Sequence, residues 1–338
     1  MFAFLRFPHL AIEEIIKYMD LKEIYNLSRC SKRSFKIVGS MVKTRNISFR
    51  IEMGMQFKLL VDQTCCTEFQ FQPLSRLIIK RPPSGRYFGG SRFSATKLSR
   101  NYTTYFIFWE NPYQAFKAFY NHMTKLFGKP INRVLYYGFP WAKDLLEQIN
   151  LLEQINHNQP FIEEARIGFE RVPKKDMITI LNLLKTVRRM RWCDFVMRNQ
   201  ENNYQEVVQM FEHDELTIED GGVWLNVNHI LDMNCRIIKI ANNSLTIDAL
   251  SDYLDAWMAG EIPRLEHFSA LFANLDLTII LKDIECESMD SEENFTEAKG
   301  PYRIQRGGDG KYAKVFGATS EGWHPFFLVD SFEIQVLE

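Results

Sequence analysis

Within its first forty or so residues, this 338-residue chain writes three short amphipathic helices with more apolar surface than so small a module can bury by itself. Pro8 stands at a helix-opening position, where its missing N–H costs nothing. Ile12, Ile15, Ile16 and Met19 then recur at the i, i+3, i+4, i+7 spacing of one helical face, and Leu10 widens the stripe. Asp20 and Glu23 have the spacing of a reciprocal capping box that opens a second helix with Ile24 and Leu27 on its inner face. After a break near Arg29 and Cys30, Ser31 can cap a third helix that is basic on one side (Lys32, Arg33, Lys36) and carries Phe35, Val38 and Met41 on the other. A module below about 40 residues seldom sustains its own core without a metal, a disulfide or a partner. The pattern therefore predicts an apolar exterior that another polypeptide covers.

Phe7-Pro8, the run EEIIKYM ending at Met19, the turn Asp20-Leu21-Lys22-Glu23-Ile24 and the stretch from Leu27 to Arg33 together resemble an F-box. The resemblance implies docking on a Skp-type adaptor and, through it, on a cullin-RING ubiquitin ligase. Carried over position by position, it implies adaptor contacts at Phe7, Pro8, Leu10, Ile12, Ile15, Ile16, Met19, Leu21, Ile24 and Leu27, with Cys30 and Arg33 behind them. The chain departs from the common pattern at Leu21, where proline usually follows the aspartate, and at Ser34-Phe35, where a tryptophan often stands. Replacing Ile15 and Ile16 together by aspartate is expected to abolish docking while the rest of the chain stays folded, because charge would enter an apolar contact.

A formal net charge of -1 conceals an asymmetry: residues 1–110 carry ten more basic than acidic side chains and residues 111–338 eleven more acidic than basic. Between Gln70 and Trp109 there is no carboxylate, while Arg76, Lys80, Arg81, Arg86, Arg92, Lys97 and Arg100 interleave with Tyr87, Phe88 and Phe93. Such a stretch can hold phosphates and stacked bases, or an acidic or phosphorylated segment of a partner. Arg76, Lys80, Arg81, Arg86 and Arg92 are the candidate contacts. Pro82, Pro83, Gly85, Gly89 and Gly90 punctuate it, and a solvated loop is the expectation. Six sparse cysteines form neither a disulfide framework nor a zinc ribbon, and no eighteen-residue apolar run occurs, so a soluble chain of the cytoplasm and/or nucleus with reduced thiols is expected.

From residue 44 onward β-rich runs alternate with amphipathic helical stretches. Strands are expected near 47–51, 77–80, 103–109, 133–138, 164–169, 189–195, 216–219, 236–240 and 265–271, and helices at 111–127, 142–155, 175–186 and 201–212. This alternation predicts an α/β body of β-α units, and its period of about 20–30 residues is that of leucine-rich-repeat-like arrays, with an ordinary two-layer domain as the competitor. The hexapeptide LLEQIN, written twice from Leu145 to Asn156, lengthens a helix locally. Thr246 is a candidate cap for a helix with Leu250, Tyr253, Leu254 and Trp257 on one face, Gly260 as its left-handed stop and Pro263 beyond. This string, from Asn243-Ser244-Leu245-Thr246 to Leu265, resembles the F-box-associated domain, type 2, of nematode-type F-box proteins. The division expected is an F-box over 1–43 and a substrate-recognition body over 44–338, with the type 2 region at about 225–290.

Chemistry-bearing motifs are weak. His213 lacks the second histidine of a zinc helix. Arg306-Gly307-Gly308-Asp309-Gly310-Lys311 lacks the first glycine and the Ser/Thr of a phosphate loop and reads as a hairpin turn between 302–305 and 312–316. The seven carboxylates from Asp283 to Glu297 read as a solvated linker, and Cys193 beside Trp192 as a strand residue of the core. No catalytic residue, cofactor or metal is expected. The family resemblance implies a non-catalytic subunit of a ubiquitin ligase that captures a protein substrate. The alternatives are a nucleic-acid or anionic-ligand binder using 76–100, and an F-box scaffold that directs no degradation.

Overall fold

Capping chemistry sets the N-terminal helices. The computed structural model describes residues 6–54, 56–62, 66–73, 87–88, 91–99, 102–138, 145–169, 172–193, 205–220, 225–241, 245–272, 275–289, 301–320 and 329–337. Helix α1 spans His9–Tyr18, α2 Leu21–Arg29 and α3 Lys32–Val42. The Glu23 N–H donates to the Asp20 carboxylate at 2.7 Å and the Asp20 N–H donates to Glu23 at 2.9 Å, which completes the box. Leu21 is buried in the first turn of α2, and the buried Ser34 hydroxyl lies 2.8 Å from that of the capping Ser31. Both departures from the F-box pattern are thus filled by packed side chains. The last carbonyls of α1 accept from Arg45, whose guanidinium reaches Ile16, Lys17 and Met19. A cation at a helix C-terminus also suits the macrodipole.

The chain divides into two compact units, residues 1–135 with 146–159 and residues 136–145 with 160–338. In the first, the helices lead to β1 (Ser48–Met53), β2 (Phe57–Asp62), β3 (Cys66–Pro73), β4 (Tyr87–Phe88), β5 (Ser91–Ser99), β6 (Tyr102–Trp109), α4 (Pro112–Phe127), β7 (Ile131–Gly138), whose end from Tyr136 belongs to the second unit, and α5 (Leu145–Asn158). The strand order is β7-β1-β2-β3-β6-β5-β4. From β1 to β4 the pairs are antiparallel except β3 beside β6. Helix α4 lies on this sheet through Phe116, Phe119 and Phe127, whose rings stand 4.7–5.9 Å from those of Phe57, Phe69, Phe71 and Phe49. Such ring pairs add about 0.5–1.5 kcal/mol each beyond the area they bury.

One sequence expectation changes here. The stretch read as a loop contains β4 and β5, and β5 pairs with β6 from Arg92 opposite Phe108 to Ser99 opposite Tyr102. The strand expected over 77–80 lies outside the described residues. Both LLEQIN copies fall in α5, yet Leu146 of the first is exposed and its counterpart Leu152 is fully buried. Six residues at ~100° each turn the second copy by about 240°, so identical letters meet different surroundings.

The second unit continues with β8 (Ile162–Phe169), α6 (Lys174–Leu183), β9 (Val187–Cys193), α7 (Gln205–Val208), β10 (Glu215–Asp220), α8 (Val227–Leu231), β11 (Ile237–Ile240), α9 (Ile247–Ala259), β12 (His267–Phe272), α10 (Leu277–Ile280), β13 (Glu287–Ser288), β14 (Tyr302–Gln305), β15 (Tyr312–Ser320) and β16 (Val329–Val336). Strands β8 to β12 lie side by side in chain order and parallel, each pair linked through a helix. This is the β-α alternation the sequence predicts. Antiparallel β16, β15, β14 and β13 extend the sheet beyond β12.

The core of this unit gathers Trp192, Leu216, Ile218, Ile238, Ile240 and Phe268, with Trp192 edge-on to Phe211 at 5.5 Å and Phe268 against Tyr253 at 4.5 Å. Helix α9 starts and stops as its sequence dictates: Thr246 accepts from the Ala249 N–H at 3.2 Å, and Gly260 takes φ 84°. The glycine-rich string forms the β14–β15 turn. There the buried Arg306 pairs with Asp309, lies over Trp257 at 5.3 Å, and the Gly307 N–H donates to the Met258 carbonyl at 2.8 Å. On β8, a Cβ added to Gly168 would stand 2.7 Å from the Cys193 carbonyl oxygen, a backbone atom held by the neighbouring strand. Gly168→Ala is expected to lower stability by about 1–3 kcal/mol, read as a lower urea midpoint.

Candidate functional site

Three apolar side chains of α1 face water. Leu10 is 75% exposed, Ile15 42% and Tyr18 88%. At ~100° per residue Leu10, Tyr18 and Ile15 fall within about 140° of arc, so they form one face rather than scattered positions. Phe7 and Pro8, just ahead of the helix, are exposed too. Glu14, which falls between Leu10 and Tyr18 at the same step, and Lys17, just outside Leu10, are paired at 2.6 Å and bring charge to that side of the arc.

The residues assigned to docking by sequence divide between two layers. Phe7, Pro8, Leu10 and Ile15 are open, and Met19 is half-buried at the end of α1. Ile12, Ile16, Leu21, Ile24 and Leu27 are buried within this chain. Tyr18 lies outside the set that the family resemblance implies and outside the i, i+3, i+4, i+7 stripe, yet it is the most exposed apolar side chain of α1. Replacing Ile15 and Ile16 together does not isolate docking, contrary to the sequence expectation: Ile16 is 2% exposed, so Ile16→Asp would break the module itself rather than its docking surface.

Packing on α4 fixes α2 and α3. Tyr25 meets Phe119 at 4.5 Å, and the His122 ring stands 5.1 Å from both Tyr25 and Phe35. The Tyr105 hydroxyl donates to the capping Asp20 at 3.3 Å. Ser28 donates its proton to the Tyr25 carbonyl at 2.7 Å, so across the 2.6 Å contact His122 Nε2–H must be the donor to Ser28. Burial, and after it the positive charge of Arg29, pushes the His122 pKa down to about 4. The unfolded chain, with its ring near the ordinary 6.5, therefore binds the proton first. This contribution to stability is whole above about pH 6.5 and drains away towards about pH 4. Thermal unfolding midpoints of the wild type and His122→Gln are expected to converge as pH falls through that window.

The other candidates occupy unremarkable places. Arg76, Lys80, Arg81 and Arg86 lie outside the described residues, and Arg92 lies on β5. Cys193 is fully buried on β9, and burial first, then the hydrogen bond to Glu219, drives its thiol up to about 12, far from a thiolate nucleophile. His213 is buried with Nδ1 2.8 Å from the Val187 carbonyl, and burial lowers its pKa. The acidic run read as a linker includes β13, where Glu287 lies opposite Arg303; residues 290–297 lie outside the described residues. Among the described residues, no group of three or more His, Cys, Asp or Glu is placed to hold a metal ion, and no helix is long and apolar enough to cross a membrane.

Comparison with known families finds an F-box domain over residues 4–46, which covers α1 to α3, and an F-box associated region over residues 203–270, from α7 into β12. The chain thus carries both elements its sequence resembles. An uncharacterized protein of Caenorhabditis elegans is 21% identical over 310 residues, which cover 87% of this chain and 68% of that protein. No solved structure matches the chain.

Proposed function

We propose that this F-box protein is the substrate-recognition subunit of a Skp-cullin-F-box ubiquitin ligase. An F-box implies docking on a Skp-type adaptor within a cullin-RING ligase. The observation that carries the reading is the water-facing arc of Leu10, Ile15 and Tyr18 beside Phe7 and Pro8. Covering side chains of this kind is worth about 1.5–3 kcal/mol each, and they are left open on a module whose Ile12, Ile16, Leu21, Ile24, Leu27 and Val38 are already packed. Ile12, Ile16, Leu21, Ile24 and Leu27 act from beneath, by holding the arc in shape.

In this account residues 1–43 dock and residues 44–338 present the captured protein, with β8 to β12 as a leucine-rich-repeat-like array that includes the type 2 region. The subunit does no bond chemistry of its own. Tethering raises the effective concentration of target lysines near a charged ubiquitin carrier, and the rate gain comes from proximity. Such a protein works in the cytoplasm and/or nucleus. Co-purification of the full chain with a Skp-type adaptor, followed by the turnover of proteins that it captures, tests the reading.

A further inference from the structure

Strand register brings three arginines to one face of the second unit. Glu164 lies opposite Arg189 and Arg166 opposite Arg191 on parallel β8 and β9. Alternate residues of a strand share a face, so Arg189 and Arg191 stand with Arg166 on the side away from the buried Met190 and Trp192. Their charges are paired: Arg166 with Glu219 at 2.6 Å, Arg189 with Glu163 at 3.2 Å, and Arg191 with Glu164 at 3.6 Å and Glu219 at 3.5 Å.

The two signs of charge are not equally accessible. The arginine side chains are 41–50% exposed, whereas Glu164 is 11% and Glu219 23% exposed. Around Arg166 and Arg191 the guanidinium groups form the outer layer and Glu164 and Glu219 the layer beneath, while Glu163 beside Arg189 is 37% exposed. The lower layer holds the forks in place, helped by Cys193, which accepts from Arg166 Nε at 3.0 Å and donates to Glu219 at 3.0 Å. Each guanidinium offers five N–H donors, and the contacts named engage at most two of its nitrogens. Groups already fixed in this way lose little freedom when an anion arrives.

Building on the receptor reading above, we infer that Arg166, Arg189 and Arg191 bind an extended acidic segment of the captured protein, with carboxylates at alternate positions. Residues two apart in an extended chain are about 6.8 Å apart, which is the repeat separating Arg189 from Arg191, and Arg166 lies one strand, about 4.8 Å, to the side. Bidentate pairing suits carboxylates. A phosphate dianion fits less well than a carboxylate, because its second charge adds to the repulsion from Glu164 and Glu219, which already pair with these arginines.

The test uses the full-length protein and a fluorescein-labelled peptide of about eight residues that alternates glutamate with threonine, read by fluorescence anisotropy at about 50 mM and about 300 mM salt. The peptide is expected to bind, to weaken with salt, and to bind about tenfold more tightly than its glutamine counterpart. Arg189→Gln with Arg191→Gln should cost at least about tenfold, while Arg303→Gln, on β14 at the far end of the sheet, changes nothing. If the double variant unfolds, Arg191→Lys takes its place and should still weaken binding, because it keeps the charge and loses the fork. Equal affinity for the glutamine peptide, undiminished binding by the folded variants, preference for a phosphoserine version, or displacement by a single-stranded oligonucleotide ahead of unlabelled peptide would each overturn the assignment. Adaptor capture is measured on the same preparation. Capture without peptide binding removes the acidic-segment site alone, and loss of capture removes the receptor reading.

Discussion

A protein carrying Leu10→Asp and Ile15→Asp is expected to lose capture by a Skp-type adaptor while melting at the temperature of the wild type. Both side chains face water in the free chain, so charge at these positions is solvated and costs little before docking. On docking the two carboxylates would enter an apolar contact without partners, at several kcal/mol each, which weakens association by a thousandfold or more, on the order of 4 kcal/mol. Tyr18→Asp should act in the same direction. Ile16→Asp provides the contrast: its side chain lies in the core of the helical module, so the melt shifts and the loss of capture follows from unfolding. Pull-down on immobilised adaptor together with circular-dichroism melts separates the two behaviours.

Trp257→Ala is expected to lower the stability of the second unit by about 3–5 kcal/mol, the range for emptying a large core site. Trp257 is fully buried on α9, and its ring also carries the Arg306 guanidinium at 5.3 Å. The substitution therefore leaves a cavity and deprives a buried cation of its platform. The β14–β15 turn should loosen with it, because the same turn is tied to α9 through the Gly307 N–H bond to Met258. Hydrogen exchange at Gly307 and Gly310 should quicken in the variant, alongside a lower urea midpoint.

Local rules carried most of what the sequence revealed. The Asp20–Glu23 box, the Thr246 cap and the Gly260 stop are decided within a few residues, and each stands where the letters place it. The parallel β8–β12 ladder was legible because alternation of strand and helix patterns leaves parallel pairing as the economical solution. Non-local pairing was harder to read. Strand β5 is serine-rich and follows a Pro/Gly cluster, and what makes it a strand is β6, which supplies its hydrogen-bond partners. Strand β16, near the end of the sequence, inserts between β12 and β15, a topology that no local signal encodes.

The candidate site was half legible for a related reason. Periodicity finds the residues that must be hidden, so it picked out Ile12 and Ile16 with the same weight as Ile15 and passed over Tyr18. Which side of α1 stays open depends on what α2 and α3 cover, and their placement depends in turn on His122 and Phe119 of α4, some 90 residues away. The arginine layer on β8 and β9 was invisible in the letters, since it needs the register that sets Arg166 beside Arg191.

The most direct measurement is the association of the purified full-length chain with a purified Skp-type adaptor by titration calorimetry, with the Leu10→Asp, Ile15→Asp protein in parallel. A one-to-one complex with a negative heat-capacity change, the mark of apolar burial, is expected for the wild type, and no detectable heat for the variant. A folded wild-type chain that binds no adaptor, or a folded variant that binds as tightly as the wild type, would contradict it.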